Sequence, residues 1–358
     1  MPPQPTAAVV LGGGAPNGGL MAGALAAIYD HGKTFNEFYT SGAGSAIGLA
    51  FLAPRGNTTP SEAVRALLQV GVDDAIYRWV PFGYKTFFKR GPFTVPFKEF
   101  SKRFKLPAAV DNTGLRRLYN DWVDLVTAVV TPTDLTPSSD SLCAHYPFVE
   151  DVIDFAKLRT FNGKFFMNAY CIETGRSEQF DINQVGPEHF YAALSYPFIY
   201  APTRIGNFHY YEGAAHDPLN LPRFHRQCCR GTVDFLVIID LLGAFKKALI
   251  RRPTSLLDAY GISILMSVVA MAEKDVARFA SFHQQLQRSA RRGTRTRPVY
   301  HLERLTFAIP PHDYPTMCDW SYSNMQRLWA IGYEGGTQFV QQFGNRLPNH
   351  AVDSASPV

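Results

Sequence analysis

A chain of 358 residues, 46% hydrophobic and 18% charged, has the composition of a folded globular protein and excludes intrinsic disorder. Its formal net charge of +5 is too mild to argue for a nucleic-acid partner, though it permits attraction to an anionic membrane surface. The five cysteines (Cys143, Cys171, Cys228, Cys229 and Cys318) form no CxxC pair and the histidines lack metal-ligand spacing, so neither a disulfide framework nor a zinc site is expected. The start, Met1-Pro2-Pro3, lacks the basic and apolar pattern of a secretory signal, and the longest apolar run, Tyr260 to Ala272, is too short to span a bilayer. A cytoplasmic protein with peripheral membrane contact is the expectation.

Residues 6–11 read as a short buried strand that runs into Gly12-Gly13-Gly14-Ala15-Pro16-Asn17-Gly18-Gly19. Leu20 to Ile28 is strongly helical and carries no charge, which predicts a buried helix. Phe35 to Thr40 reads as a second strand, and Ala46 to Leu52 as a helix stopped near Pro54 and Gly56. Strand, glycine loop, helix, strand and helix in this order predict a mainly parallel sheet in a three-layer α/β/α domain.

Residues 82–105 differ in character. Eight rings, among them Phe82, Phe87, Phe93, Phe100 and Phe104, interleave with seven cations, among them Lys85, Lys98, Lys102 and Arg103. Such a segment suits a membrane interface, where rings enter the headgroup boundary and cations meet lipid phosphate. It equally suits a cap that packs its rings inward. Residues 163–171 and 234–240 read as central strands, and 255–289 as a long helix. Gln287 to Arg297, with five arginines, reads as a solvated loop, and the tail after Leu347 as disordered. These boundaries predict a domain over 6–240 with an insertion at about 82–150, a helical C-terminal extension over 241–346, and a tail over 347–358.

A glycine-rich loop between a strand and a helix aims backbone N–H groups at a helix N-terminus, where they can hold a phosphate or an oxyanion. A nucleotide site is the first competitor, but no Walker lysine and no clear acidic ribose partner follow the loop. The second glycine-rich turn, Tyr39-Thr40-Ser41-Gly42-Ala43-Gly44-Ser45, has the form of a strand–turn–helix elbow. A third segment, Tyr211-Glu212-Gly213-Ala214-Ala215-His216-Asp217, places an acid before two small residues.

In combination the three segments resemble the patatin-like phospholipases. The resemblance covers roughly residues 6–240 and includes a strand–hairpin at Phe165 to Glu178 and the segment Ala192 to Phe198. Asp319-Trp320-Ser321, with Trp329 and Gly332, also resembles a tail found on some bacterial members. The resemblance implies a serine–aspartate dyad on a GxSxG elbow, an oxyanion hole from the glycine loop, a lipid or acyl-ester substrate, and no metal or organic cofactor.

The departures fall at the nucleophile. An ungapped comparison puts Gly42 where the serine belongs, and two extra loop residues put Gly44 there; both leave the site empty. A shift of one residue brings Ser41 to the apex, and Ser45 is the other candidate. Glu212 stands where the family has aspartate, one methylene longer, and so able to reach a displaced serine. An acyl-ester hydrolase or acyltransferase using a displaced Ser41–Glu212 dyad is therefore the leading expectation, with the oxyanion held by Gly12, Gly13, Gly14, Ala15, Gly18, Gly19 and Gly42. His216 and Asp217 are secondary candidates for a triad. The alternative is an inactive lipid-binding or scaffolding protein that keeps the architecture.

Overall fold

The computed structural model describes residues 5–14, 17–107, 114–145, 149–228, 233–239, 250, 252–253, 256–292, 300–309 and 319–350. Its centre is an eight-stranded sheet of β1 (Ala7–Leu11), β2 (Glu37–Thr40), β3 (Lys164–Cys171), β4 (Arg176–Asp181), β5 (Thr203–Ile205), β6 (Phe208–Glu212), β7 (Phe235–Ile239) and β8 (His301–Leu305). The order is β8-β7-β1-β2-β3-β6-β5, with β4 paired to β3. From β8 to β3 the pairings are parallel; β3, β4, β5 and β6 add antiparallel pairings. β1 and β7, AAVVL and FLVII, are buried at every position, as strands covered on both faces must be.

The helices that matter for the site are α1 (Gly18–Asp30), α2 (Ala43–Leu52), α3 (Thr94–Lys102), α4 (Gly114–Val130), α5 (Pro187–Leu194), α6 (Leu256–Arg291) and α7 (Tyr322–Phe343). They flank the sheet in a three-layer α/β/α arrangement. α1 is buried over most of its length because α7 lies on its outer side at very close range. Glycines set that range. A Cβ at Gly19 would touch Leu328 Cβ at 3.2 Å, and one at Gly336 would stand 2.6 Å from the Ala24 carbonyl oxygen. Cβ atoms at Gly23 and Gly332 would overlap the carbonyl oxygens of Trp329 and Leu20 respectively.

The expected separation into a domain and a helical extension is corrected here. The chain after 240 supplies the edge strand β8, which pairs in parallel with β7, and the helix α7 that seals α1. It completes the domain and is not packed on it from outside. The helix expected over 255–289 continues to Arg291, through part of the stretch read as a basic loop; residues 293–299 lie outside the described residues. Part of the tail is also held: Leu347 is buried, Lys33 and Asn349 form a bridge, and His350 stacks on Tyr29 at 4.5 Å. Residues 351–358 lie outside the described residues.

The aromatic–basic segment divides between the two readings. Tyr84 and Phe88 are buried, whereas Phe82, Phe93, Phe100 and Phe104 are exposed. Lys85, Lys98 and Lys105 go inward to meet α4, whose polar side chains face in and whose apolar stripe faces out. Leu115, Tyr119, Trp122, Val126 and Val129 recur at helical spacing along the exposed face of α4, with Trp122 55% and Val129 66% exposed. The buried face carries Arg117, Asn120, Asp121, Asp124 and Thr127. Lys85 reaches Asp121 at 2.6 Å, Lys105 and Lys98 reach Asp124 at 2.8 and 3.6 Å, and Arg117 lies over the Tyr322 ring at 3.2 Å.

The α1–α7 contact yields a direct test. Gly332→Ala should gain up to about 1 kcal/mol of helix propensity but lose about 1–3 kcal/mol to overpacking against Leu20. The expected result is a lower urea midpoint; a variant as stable as the parent would refute the close crossing.

Candidate functional site

Three glycine-dependent turns converge at the C-terminal ends of β1 and β2. In the first, the Gly13 amide donates to Pro218 O at 3.1 Å and the Gly12 amide points at Ile239 O at 3.5 Å, the limit of a hydrogen bond. These two amides, expected to hold an oxyanion, are turned to backbone carbonyls. Gly14 has φ of +138°, and Gly14, Gly18 and Gly19 line the adjoining cavity; Ala15 lies outside the described residues. Among the described residues, neither the Gly14 nor the Ala43 amide has a hydrogen-bond acceptor.

The second turn fixes the register that the sequence leaves open. Gly42 has φ +50° and ψ −127°, the strained conformation of an elbow apex, and caps α2. A side chain there costs about 1–3 kcal/mol in backbone strain, which glycine avoids. Gly44 is no alternative apex, because a Cβ there would run into the Leu11 carbonyl and stand 2.8 Å from Gly12 O.

Ser41 lies one residue before the apex and is fully buried. Its amide donates to Leu11 O at 3.0 Å and its hydroxyl to Asp217 O at 2.8 Å. Ser41 therefore does not line the cavity, contrary to the expectation that it attacks substrate. Ser45 is also fully buried, 3.0 Å from Thr40 Oγ1, in the first turn of α2. His216 is exposed, its ring 5.0 Å from that of Tyr170, and faces neither Ser41 nor Glu212. Asp217 has a structural use. Its carbonyl also accepts from Asn168 Nδ2 at 2.9 Å, and its carboxylate accepts from the Asn220 amide at 2.9 Å.

Glu212, at the end of β6, fills the place that the apex glycine leaves. A Cβ built on Gly42 would overlap Glu212 Oε1 and stand 2.9 Å from Ala214 Cβ. The Glu212 carboxylate occupies the volume that a side chain on residue 42 would take. Among the described residues no hydrogen bond or ion pair reaches its carboxylate. Burial pushes its pKa up to about 8, and no nearby charge pulls it back.

Glu212 sits in the wall of a cavity of about 550 Å³, within the usual range for ligand sites. The other walls are mostly apolar: Ile47 and Leu68, Phe87, Phe190 and Leu194 of α5, Ile264, Leu265 and Val268 of α6, and Trp320. The α6 wall and Trp320 belong to the part of the chain after 240 and had no place in the site expected from the sequence. At the mouth, Phe198 holds φ of +74°, unusual for a bulky residue. Burial also shifts three other titratable groups of the lining. Burial lowers His145 to about 4, where its Nε2 lies 2.8 Å from Ser195 Oγ, and raises the Cys143 thiol to about 12. Burial, with Cys143 and Glu212 nearby, raises Tyr200.

A parallel sheet with a glycine loop, an elbow and an acid converging on an apolar cavity defines an acyl-hydrolase class of fold. The patatin-like phospholipase family model matches residues 9–225. This chain therefore belongs to that family, which supports lipid as its class of ligand and lipid hydrolysis as the activity of its lineage. No curated protein matches the chain. The crystal structure of VipD from Legionella pneumophila is similar over 95% of this chain and 67% of that one, at 11% identity and a TM-score of 0.35, too distant a likeness to argue from. Among the described residues no helix is long and apolar enough to cross a membrane.

The Glu212 environment has a measurable signature. Because its folded pKa of about 8 lies above the ordinary 4.5, folding favours the protonated form. The stability this group contributes is fully present below about 4.5 and is lost as pH rises through about 8. Glu212→Gln carries no such titration, so its melting temperature should pull ahead of the parent's across that window. A constant difference from acid to alkaline pH would contradict a desolvated, unpaired carboxyl.

Proposed function

We propose that this protein binds acyl lipids in a patatin-type cavity and has given up serine-dependent cleavage. One observation carries the reading: the elbow apex is Gly42, and Glu212 stands where a nucleophile would be. The apolar walls, the cavity volume and the uncommitted Gly14 and Ala43 amides support retention of a lipid acyl group. The sealed position of Ser41, with its proton given to the Asp217 carbonyl, counts against the Ser41–Glu212 dyad as a hydrolytic pair. Removing that donor leaves a buried carbonyl with one fewer partner, which costs about 1–3 kcal/mol.

The purified protein, treated with a fluorophosphonate probe and mapped by peptide mass spectrometry, should carry no label while a positive control labels fully. A neutral single-chain lipid should raise its melting temperature. Ser41→Ala should lower stability yet leave that lipid-induced rise in place. A label on Ser41 would overturn the reading and restore the displaced dyad.

The mouth supports a peripheral membrane role in the same reading. Phe82, Leu142 and Phe198 line the cavity and are also exposed. Phe93, Phe100 and the outward stripe of α4 extend the exposed apolar surface, with Arg103 and Arg116 exposed beside them. The proposed occupant of this surface is an anionic bilayer, which the cations attract and the rings enter. Recovery of the protein on phosphatidylserine vesicles should fall with added salt and with Trp122→Ser. Equal recovery on neutral vesicles would count against this role.

A further inference from the structure

We propose, resting on the lipid-binding reading above, that the cavity selects a single-chain amphiphile with a primary ammonium head, held by the Glu212 carboxylate.

The charge arrangement leads to this assignment. Two buried acids elsewhere in this fold have cationic partners: Asp121 has Lys85 at 2.6 Å, and Asp124 has Lys105 at 2.8 Å. Glu212 has none among the described residues. Among the described residues, the titratable groups that face the cavity from the surrounding elements are Lys89, Cys143, His145, Tyr191, Tyr196 and Tyr200. The cation among these, Lys89, donates its ammonium hydrogens to Val129 O at 3.1 Å and Thr131 O at 3.4 Å. Desolvation is the sole cause acting on Glu212. The site thus has an acid in an apolar enclosure and lacks the cation that would satisfy it.

An ammonium head supplies both missing parts, an opposite charge and three N–H donors, while its alkyl chain covers the apolar walls. A carboxylate head would bring a like charge against Glu212, and binding would then require a shared or added proton. An alcohol head offers one donor and no charge, so it falls between them. The pH dependence separates the heads as well. Ammonium binding needs Glu212 ionised, so it strengthens as pH rises through about 8; carboxylic-acid binding needs a proton at the site, so it weakens over the same interval.

The experiment uses the full chain loaded with a neutral solvatochromic dye and displaced by dodecylamine, dodecanol or dodecanoate below their micellar limits, at about pH 7 and about pH 9. The expected order is amine, alcohol, acid. The amine should bind at least about tenfold more tightly than the acid, and the gap should widen with pH. Glu212→Gln, with its fold checked by thermal unfolding, should bring amine and acid within a factor of about two. Dodecanoate binding as tightly as dodecylamine, or an amine preference that survives Glu212→Gln, would overturn the assignment and leave lipid binding standing. Failure of all three to displace the dye from folded protein would overturn the lipid-binding reading and this one with it.

Discussion

The geometry of the site depends on one backbone oxygen. The Asp217 carbonyl accepts the Ser41 hydroxyl and the Asn168 amide, and so ties the end of β2 to the middle of β3 and to the loop after β6. Asn220 reinforces the tie by donating to Thr40 O at 3.1 Å. With Ser41 held inward by this bond, the next residue becomes the apex of the turn. A side chain at the apex would face the cavity and carry backbone strain, and only glycine leaves the space that Glu212 enters. The serine, the glycine and the glutamate form one connected arrangement: a hydroxyl spent on structure, an apex without a side chain, and an acid long enough to occupy the vacancy.

Much of this fold was legible because glycine and burial leave strong marks. The uncharged run from Leu20 to Ile28 identified a buried helix, and the glycines after β1 and β2 identified turns where backbone approaches backbone. The register of the elbow was harder to read. Ser41 and Gly42 are adjacent, and what separates them is a hydrogen bond to a carbonyl 176 residues away, which no local pattern reports. The edge strand β8, His301-Leu302-Glu303-Arg304-Leu305, carries three polar side chains and lacks the apolar run by which β1 and β7 were recognised. The cavity wall from α6 was missed for a different reason: an apolar helical face looks the same in sequence whether it meets other side chains or an open cavity.

Asp124 and Glu212 show how electrostatics and packing divide the work. At Asp124, burial alone would raise the pKa, yet Lys98 and Lys105 outweigh it and the carboxyl is lowered. At Glu212 nothing outweighs burial. Retaining an unpaired acid is destabilising near neutral pH, and a protein selected for folding alone would replace it with an apolar or amide side chain.

The polar inner face of helix α4 has a thermal consequence. Helices usually dock by burying apolar surface, and their release therefore carries a large positive heat-capacity change and weakens on cooling. α4 docks through Asp121, Asp124, Arg117 and their partners while its apolar stripe is already in water. Beside Leu118, Leu125 and Ala128, its release exposes these polar and charged groups, whose hydration lowers the heat capacity, and the desolvation penalty of its ion pairs falls as temperature rises. The attachment of this element to the mouth of the cavity accordingly resists heating better than an apolar contact of equal strength, and yields instead to ionic strength and to extremes of pH.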